Sequence, residues 1–334
     1  MVDTTVSRLG AIGGNNGANQ HADQNTEMLL KVFSGEVLKV FDTKQVARDM
    51  VRSRRLSGAK EAQFPIMGTT AAGFHLPGTD LSSTGTGLLN EIQHAERVIK
   101  VDYPLVSPVF VSDWDEALNH YEIRSEYAHQ MGESLANTWD QLLLRVMTSC
   151  GTATGIVTGE QNGSFGDIGL TPTVAAFIEA VFNAKLVMDQ KNVPMDDRFL
   201  IIPPAWEVAL IRSDDKLLDR DYSPSNGSYA AATVGRMAGM TIVTSNHLPD
   251  GNPMSITNKT GLKNGDYDHD GVTSYAAIAC QRSAVGSVSL WDMEVQSQYS
   301  ALHQGTFLIS RMSCGAGVLK PSACVPIKGA QAPA

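Results

Sequence analysis

A long stretch without proline constrains this chain more than any other feature. Residues 113–149 contain no proline, and Gly151 follows them. Ser112 and the acidic residues just after it are typical of a helix N-terminus, where side chains satisfy free N–H groups. The stretch therefore predicts a helix of about 55 Å, longer than one compact core can cover. Its apolar residues recur at three- and four-residue steps: Trp114, Leu118, Tyr121, Ala128, Met131, Leu135, Trp139, Leu142 and Val146.

A long hairpin is predicted before this helix. Residues 62–68 and 96–102 alternate as strands do, and five glycines and prolines lie between them. An isolated two-stranded hairpin is only marginally stable in water. Few large apolar residues occur near its tip, so we expect the surface that supports it to belong to a neighbouring subunit.

The rest of the chain predicts a polar N-terminal arm and a mixed second half, which makes the fold class α+β. Residues 1–26 are polar and glycine-rich, and a short apolar period over 27–40 predicts a helix. The glycines of 150–170 match neither nucleotide-binding pattern, which predicts a loop. Helices are predicted over 171–190 and 205–212, and strands over 198–203, 240–245, 274–280, 294–298 and 306–312.

Composition limits the classes of protein to which the chain can belong. Charged residues make up 18% of it, against roughly 25% in an average soluble domain. Two explanations fit this low share of charged residues. Either neighbouring subunits cover much of the surface, or uncharged polar residues make the exposed surface polar. The net charge of −9 argues against a dedicated nucleic-acid reader. Without a secretory leader or an apolar run long enough to cross a bilayer, we expect a cytoplasmic chain with no membrane contact.

One local pattern suggests a ligand. Asp266, Asp268 and Asp270 precede a glycine as in a calcium loop, but the twelfth position is Ala277 instead of an acid. This excludes an EF-hand and leaves two interpretations, an incidental calcium site or a solvated acidic loop. The four cysteines lack metal-ligand spacing, and Cys150 at the end of the long helix is interpreted as a packed thiol. We therefore expect no catalytic residue, metal or cofactor.

Five segments resemble one family. They are KVFSGEVL (31–38), MVRSRRLSGAKEAQFPIMG (50–68), LPG (76–78), HAERVIKVD (94–102) and NHYEIRSEYAHQMGESLA (119–136). Together they resemble the major capsid proteins of short-tailed double-stranded DNA phages, the Autographiviridae-like podoviruses. The resemblance is weaker after Gly151.

The resemblance implies the tailed-phage capsid fold. On this chain it implies an N-terminal arm (1–56), an E-loop hairpin (57–102), a P-domain (103–170) with a spine helix (113–149), a mixed α/β A-domain (171–300), and a C-terminal part (301–334) whose strand 305–318 returns to the P-domain.

The same resemblance implies a structural function. Members assemble into hexamers and pentamers of an icosahedral head around a scaffolding protein, in the host cytoplasm. The expected partners are other copies, scaffold, portal, a decoration or minor capsid protein, and packaged DNA bound without sequence specificity. The chain is expected in the virion capsid and is not expected to be an enzyme. The alternatives are an α/β enzyme with an unrecognised site and a calcium-binding surface module.

The distribution of charge along the sequence suggests how two copies of the chain contact each other. Residues 42–60 carry six basic and two acidic residues, whereas 113–149 carry seven acidic residues and two arginines. A basic run in an acidic chain is either a solvated face or a docking surface. We expect the basic segment of one subunit to lie near an acidic spine helix, which would orient assembly. The predicted subunit-interface residues are Arg52, Arg54, Arg55, Phe64, Pro77, Gly78, Glu122 and Glu126.

Overall fold

The computed structural model describes most of the chain after residue 44. The described residues are 37, 39–41, 45–78, 80, 92–114, 123–169, 172–212, 227–228, 233–249, 261–267 and 274–329. The chain divides into two units. One comprises 1–45, 104–138 and 291–313, and the other comprises 46–103, 139–290 and 314–334.

Three α-helices and fourteen strands can be given bounds in the described part of the chain. The helices are α1 (Ile123–Ser149), α2 (Val174–Gln190) and α3 (Pro204–Arg212). The strands are β1 (Arg52–Arg55), β2 (Glu61–Met67), β3 (His94–Lys100), β4 (Leu105–Ser112), β5 (Gly166–Asp167), β6 (Arg198–Ile202), β7 (Gly227–Ser228), β8 (Thr233–Val234), β9 (Arg236–Met237), β10 (Met240–Thr244), β11 (Tyr275–Gln281), β12 (Val285–Ser300), β13 (Gly305–Val318) and β14 (Cys324–Lys328).

Helix α1 covers residues 123–149 of the long helix predicted over 113–149. Asp113 and Trp114 are helical as well, and the Ser112 hydroxyl accepts the Trp114 N–H at 3.3 Å. Residues 115–122 lie outside the described part. The predicted stripe is buried at Ala128, Met131, Leu135, Trp139, Leu142 and Val146. Trp114 was predicted to belong to this apolar stripe, and that prediction is wrong because 71% of the surface of Trp114 is exposed.

The first unit packs a sheet on the first turns of α1. Strand β4 pairs antiparallel with Gly305–Met312 of β13. Val111 and Leu308 from these strands pack with Ala128 and Met131 of the helix, and Val37 joins the same cluster. Val37 is helical, which agrees with the helix predicted over 27–40; the rest of that prediction falls mostly outside the described residues.

The second unit contains a six-stranded mixed sheet in the order β5-β14-β11-β6-β10-β9. Strands β6 and β10 run parallel, whereas β11 is antiparallel to both β6 and β14. Helix α2 begins after Thr173, whose hydroxyl accepts the Ala176 N–H as an N-cap. The Phe177 ring of α2 stacks on Trp206 of α3 at 4.5 Å, and both are fully buried.

The two C-terminal strands, β13 and β14, belong to different sheets. Gly305–Met312 pairs with β4, which lies in the range expected for the P-domain. Cys324–Lys328 instead pairs with β11 in the six-stranded sheet. The core of the second unit also contains Cys150, Cys280 and Cys324. Burial raises the pKa of Cys280 to about 12, so this thiol is a packed side chain of low reactivity.

Candidate assembly surface

The predicted hairpin is present as β2 and β3. Seven residue pairs join the strands, from Glu61 opposite Lys100 to Met67 opposite His94. Its inward face packs Ala62 and Ile99 with Val101 and Val288 in a cluster that Phe64 borders. The root of the hairpin is therefore fixed on the second unit, whereas residues 69–78 beyond β2 are exposed and without regular structure except for a turn.

The predicted interface residues of the basic segment lie at this root. Arg52, Arg54 and Arg55 belong to β1, an exposed strand that pairs parallel with Gly286–Ser289 of β12. The guanidinium of Arg54 lies 5.8 Å from the centre of the Phe64 ring, within cation–π range. Arg54 Nη1 also donates to the Gln63 carbonyl at 3.3 Å. The structure thus brings two of the predicted residues, Arg54 and Phe64, into contact.

The other predicted interface residues are dispersed. Pro77 and Gly78 form an exposed turn, where Gly78 has φ +90°, a conformation that favours glycine. Glu126 is exposed on α1 and accepts a hydrogen bond from Gln130 at 3.1 Å. Glu122 lies outside the described residues. The hypothesis of a calcium site is not tested, because Asp268, Asp270 and the side chain of Asp266 lie outside the described residues.

Asp140 was counted among the acidic residues of the long helix that would meet a neighbour, but it does not lie on the helix surface. It is buried and points inward, where its carboxylate accepts the backbone N–H groups of Val46 at 2.8 Å and Ala47 at 3.2 Å. Burial raises its pKa, although these hydrogen bonds oppose the shift in part. Asp140 therefore anchors the segment that leads into β1 of its own chain, and it presents no charge to a neighbour.

An ion pair that the sequence analysis did not identify holds β3. Arg97 Nη2 lies 3.1 Å from Glu160 Oε1 and donates to the Thr154 carbonyl at 2.9 Å. Both side chains of the ion pair are nearly buried, with 11% and 8% of their surface exposed. The Glu160 carboxylate also accepts the Ile156 N–H at 2.6 Å. The pair therefore ties the hairpin root to the glycine-rich loop after α1.

A second anchor follows the end of β3. The buried Asp102 carboxylate accepts the Tyr267 hydroxyl at 2.6 Å and the Lys263 N–H at 2.7 Å. Asn264 adds two bonds to the Lys100 backbone, at 3.0 Å and 2.7 Å. Burial raises the pKa of Asp102, opposed by these hydrogen bonds, and raises the pKa of Tyr267 well above its ordinary value. Residues 261–267 are thus fixed on the hairpin root.

The hairpin also carries exposed apolar side chains. Phe74 is fully exposed, and Met67 and Leu76 expose 70% and 68% of their surface. Sequence analysis expected few large apolar residues near the tip, and the two in residues 69–78, Phe74 and Leu76, are exposed. Exposed aromatic and aliphatic groups that cluster on one element mark protein–protein contact surfaces.

Other classes of site receive no support from the described residues. Across the ranges that the structure describes, no three His, Cys, Asp or Glu side chains are placed to hold a metal ion together. None of the described helices combines the length and apolar character that a membrane crossing requires.

The architecture described above is an α+β fold with a two-stranded hairpin, β2–β3. Comparison with known proteins assigns it to a family. The chain belongs to the Gp10A-like major capsid protein family, whose profile matches residues 63–328. It is 30% identical to the major capsid protein of Escherichia phage T7 over 338 residues, which cover 90% of this chain and 92% of that protein. It is 28% identical to the major capsid protein of Enterobacteria phage T3, with 93% and 94% covered.

Solved structures agree with this assignment. The capsid of cyanophage P-SCSP1u matches with a TM-score of 0.73 and 34% identity, covering 86% of this chain and 89% of that one. The mature capsid of bacteriophage PhiM1 matches with a TM-score of 0.69 and 16% identity over 85% and 86% of the two chains, and supports the fold alone. The chain is thus a phage major capsid protein with the tailed-phage capsid fold and a structural role in the virion capsid.

Proposed function

We propose that this chain forms the hexamers and pentamers of an icosahedral phage head that encloses double-stranded DNA, and that it has no catalytic role. The observation that carries the proposal is the hairpin β2–β3. Its root is fixed by the Arg97–Glu160 pair, whereas Phe74 and Leu76 beyond β2 are exposed. A fixed root and an exposed apolar extension suit an element that another copy of the chain covers.

The proposed domains follow the tailed-phage pattern. They are an N-terminal arm (1–56), an E-loop (57–102), a P-domain (103–170), an A-domain (171–300) and a C-terminal part (301–334). The hairpin, helix α1 and most of the six-stranded sheet lie in the second, third and fourth ranges, which supports the division. Strand β1 lies at the end of the proposed arm. It pairs with β12, so this part of the arm belongs to a sheet.

The basic residues of β1 are proposed to meet acidic residues of a neighbouring spine helix. Support comes from the exposure of Arg52, Arg54 and Arg55 and from the exposed carboxylate of Glu126. Asp140 is excluded from the acidic surface because it is buried. Exposed pairs contribute only about 0–1 kcal/mol each, so the role of this contact is to orient encounters.

The proposed partners are a scaffolding protein, a portal, a decoration or minor capsid protein and packaged DNA, with assembly in the host cytoplasm. A direct test mixes purified chain with its scaffolding protein and follows light scattering and sedimentation. We expect a cooperative conversion from small species to a fast-sedimenting product above a threshold concentration. A chain that stays monomeric and folded at every concentration with scaffold present would contradict the proposal.

A further inference from the structure

The glycine-rich loop after α1, residues 151–163, contacts both strands of the hairpin. The Thr158 N–H and hydroxyl donate to the Gln93 side-chain oxygen at 3.1 Å and 2.9 Å. The Thr158 carbonyl accepts the Thr69 N–H at 3.2 Å. Gln93 immediately precedes β3, and Thr69 lies two residues after β2. One residue of the loop therefore bonds both strands just beyond the end of their ladder.

The same loop supplies the ion pair that faces inward from the middle of β3. Arg97 lies opposite Phe64 in the ladder and shares its face of the strand with the buried Ile99. Its partner Glu160 is 3.1 Å away, and both side chains of the pair are nearly buried. A buried charge that loses its partner is strongly destabilising, so β3 is held against the loop at this position.

The far half of the hairpin depends on these bonds more than on apolar packing. The apolar cluster beneath the hairpin contains Ala62 and Ile99, which lie near the root. Met67 and His94, the last pair of the ladder, are both exposed. An isolated two-stranded hairpin is only marginally stable in water. The bonds from the loop therefore fix the direction of this half.

Close approaches indicate that the glycines of the loop serve contact rather than mobility. Glycine recurs every four residues, at 151, 155, 159 and 163. A β carbon on Gly155 would lie 2.6 Å from the Glu160 carbonyl oxygen, and one on Gly159 would collide with the Thr69 hydroxyl. Gly159 also has φ +89°, a conformation that favours glycine. A side chain at either position would push the loop away from its hydrogen-bonding partners.

The loop is itself fixed on its other side. The Gly155 N–H donates to the Asn162 side-chain oxygen at 2.9 Å. The Ile156 N–H donates to the Glu160 carboxylate at 2.6 Å. Lys191, the residue after α2, donates from Nζ to the Asn162 carbonyl at 2.5 Å. Hydrogen bonds thus connect the end of α2, the loop and both strands of the hairpin.

We propose that residues 151–163 form an intramolecular clamp that sets the direction of the hairpin before another copy of the chain reaches it. Gln93 is then a positioning residue for assembly. This rests on the proposed function, because the clamp matters to assembly only if another copy covers the hairpin. An element that is already fixed in its bound conformation loses less freedom on association. The clamp therefore lowers the concentration at which shells form.

Substitution of Gln93 tests the clamp, because this side chain is exposed and its variants should fold. Gln93→Ala removes the acceptor of both Thr158 donors, whereas Gln93→Glu keeps an oxygen there. We expect Gln93→Ala to speed amide exchange in residues 61–67 and 94–100 of the unassembled chain. The assembly threshold with scaffold should rise about threefold to tenfold, with an almost unchanged unfolding midpoint.

Two matched variants are the controls. Gln93→Glu should behave as the unmodified chain in both exchange and assembly threshold. Gln63→Ala makes the same change at an exposed residue of β2, and it should leave the exchange unchanged.

The outcomes separate the two proposals. A threshold that stays the same although exchange in the hairpin is faster overturns this inference, and so does unchanged exchange in Gln93→Ala. If Gln93→Glu fails to restore assembly, or if the unfolding midpoint falls in step with the rising threshold, the role of Gln93 is merely structural and the inference is wrong. Failure of the unmodified chain to form shells with scaffold contradicts the proposed function instead.

Discussion

Gly132 of α1 lies so close to Val37 that a β carbon on it would be 2.7 Å from the Val37 carbonyl oxygen. Both residues are buried in the first unit, where Val37 belongs to the core cluster. Glycine inside a helix normally costs about 0.5–1 kcal/mol relative to alanine. Its presence here allows the helical residues around Val37 to approach the long helix.

Gly132→Ala is therefore expected to destabilise the protein although alanine favours the helix. Moving the Val37 backbone costs roughly 1–3 kcal/mol, more than the helix propensity returns. Thermal unfolding of the variant should show a lower midpoint than the unmodified chain. Ser134→Ala, an exposed change on the same helix, is the control and should have little effect. An unchanged or higher midpoint for Gly132→Ala would show that the approach is not tight.

Tyr267→Phe tests the anchor after β3. The variant removes the donor to Asp102 and the acceptor of the Ala316 N–H, which lies 2.7 Å from the hydroxyl. A buried group left without its partner costs roughly 1–3 kcal/mol. We expect a lower unfolding midpoint and faster amide exchange in residues 261–267. Tyr103→Phe, at an exposed tyrosine, should change neither, and equal behaviour of the two variants would refute the anchor.

The pH dependence of stability should report Asp102. Burial raises its pKa above the ordinary value of 3.8, against the hydrogen bonds from Tyr267, Lys263 and Asn264. The folded protein therefore binds this proton more tightly than the unfolded chain does. The resulting stability is fully present below pH 3.8 and is lost as the pH rises through the raised pKa.

Asp102→Asn does not titrate, so it removes this dependence. We expect the difference in unfolding free energy between the unmodified chain and the variant to be largest in acid and to shrink as the pH rises. Denaturant unfolding over a pH series measures it. A difference that grows with pH would mean that the folded environment favours the charged carboxylate.

Neutralising the basic residues of β1 should alter assembly kinetics more than stability. Changing Arg52, Arg54 and Arg55 to Gln removes three charges from an exposed strand, so assembly should become slower and less sensitive to salt. Light scattering at several ionic strengths measures both effects. A variant with Lys185, Arg212 and Arg282 changed to Gln loses the same charge elsewhere and should assemble as the unmodified chain does. Identical kinetics in the two triple variants would contradict the contact.

Elements with a clear local period were predictable from the sequence. The β2–β3 hairpin, helix α2 after its Thr173 cap, and strands β6, β10 and β11 were predicted within a few residues of their observed bounds. Each combines periodic apolar residues with turn or cap residues at its ends. The predicted strand 294–298 lies in the C-terminal half of the longer β12.

Other elements depend on partners far away in sequence. Strand β1 consists of three arginines and a serine, and it exists because it pairs with residues of β12. Strands β4 and β14 each contain a proline, Pro108 and Pro326, which disfavours a strand assignment. The partners of the Asp102–Tyr267 bond are 165 residues apart, so no local pattern could indicate it. The exposed position of Phe74 was likewise visible only in the structure.

Electron microscopy of the chain co-expressed with its scaffolding protein tests the central claim most directly. We predict closed particles of uniform diameter built from hexameric and pentameric units of this chain. A preparation that contains only single, well-folded chains or open irregular aggregates, with scaffold present at high concentration, would contradict the account.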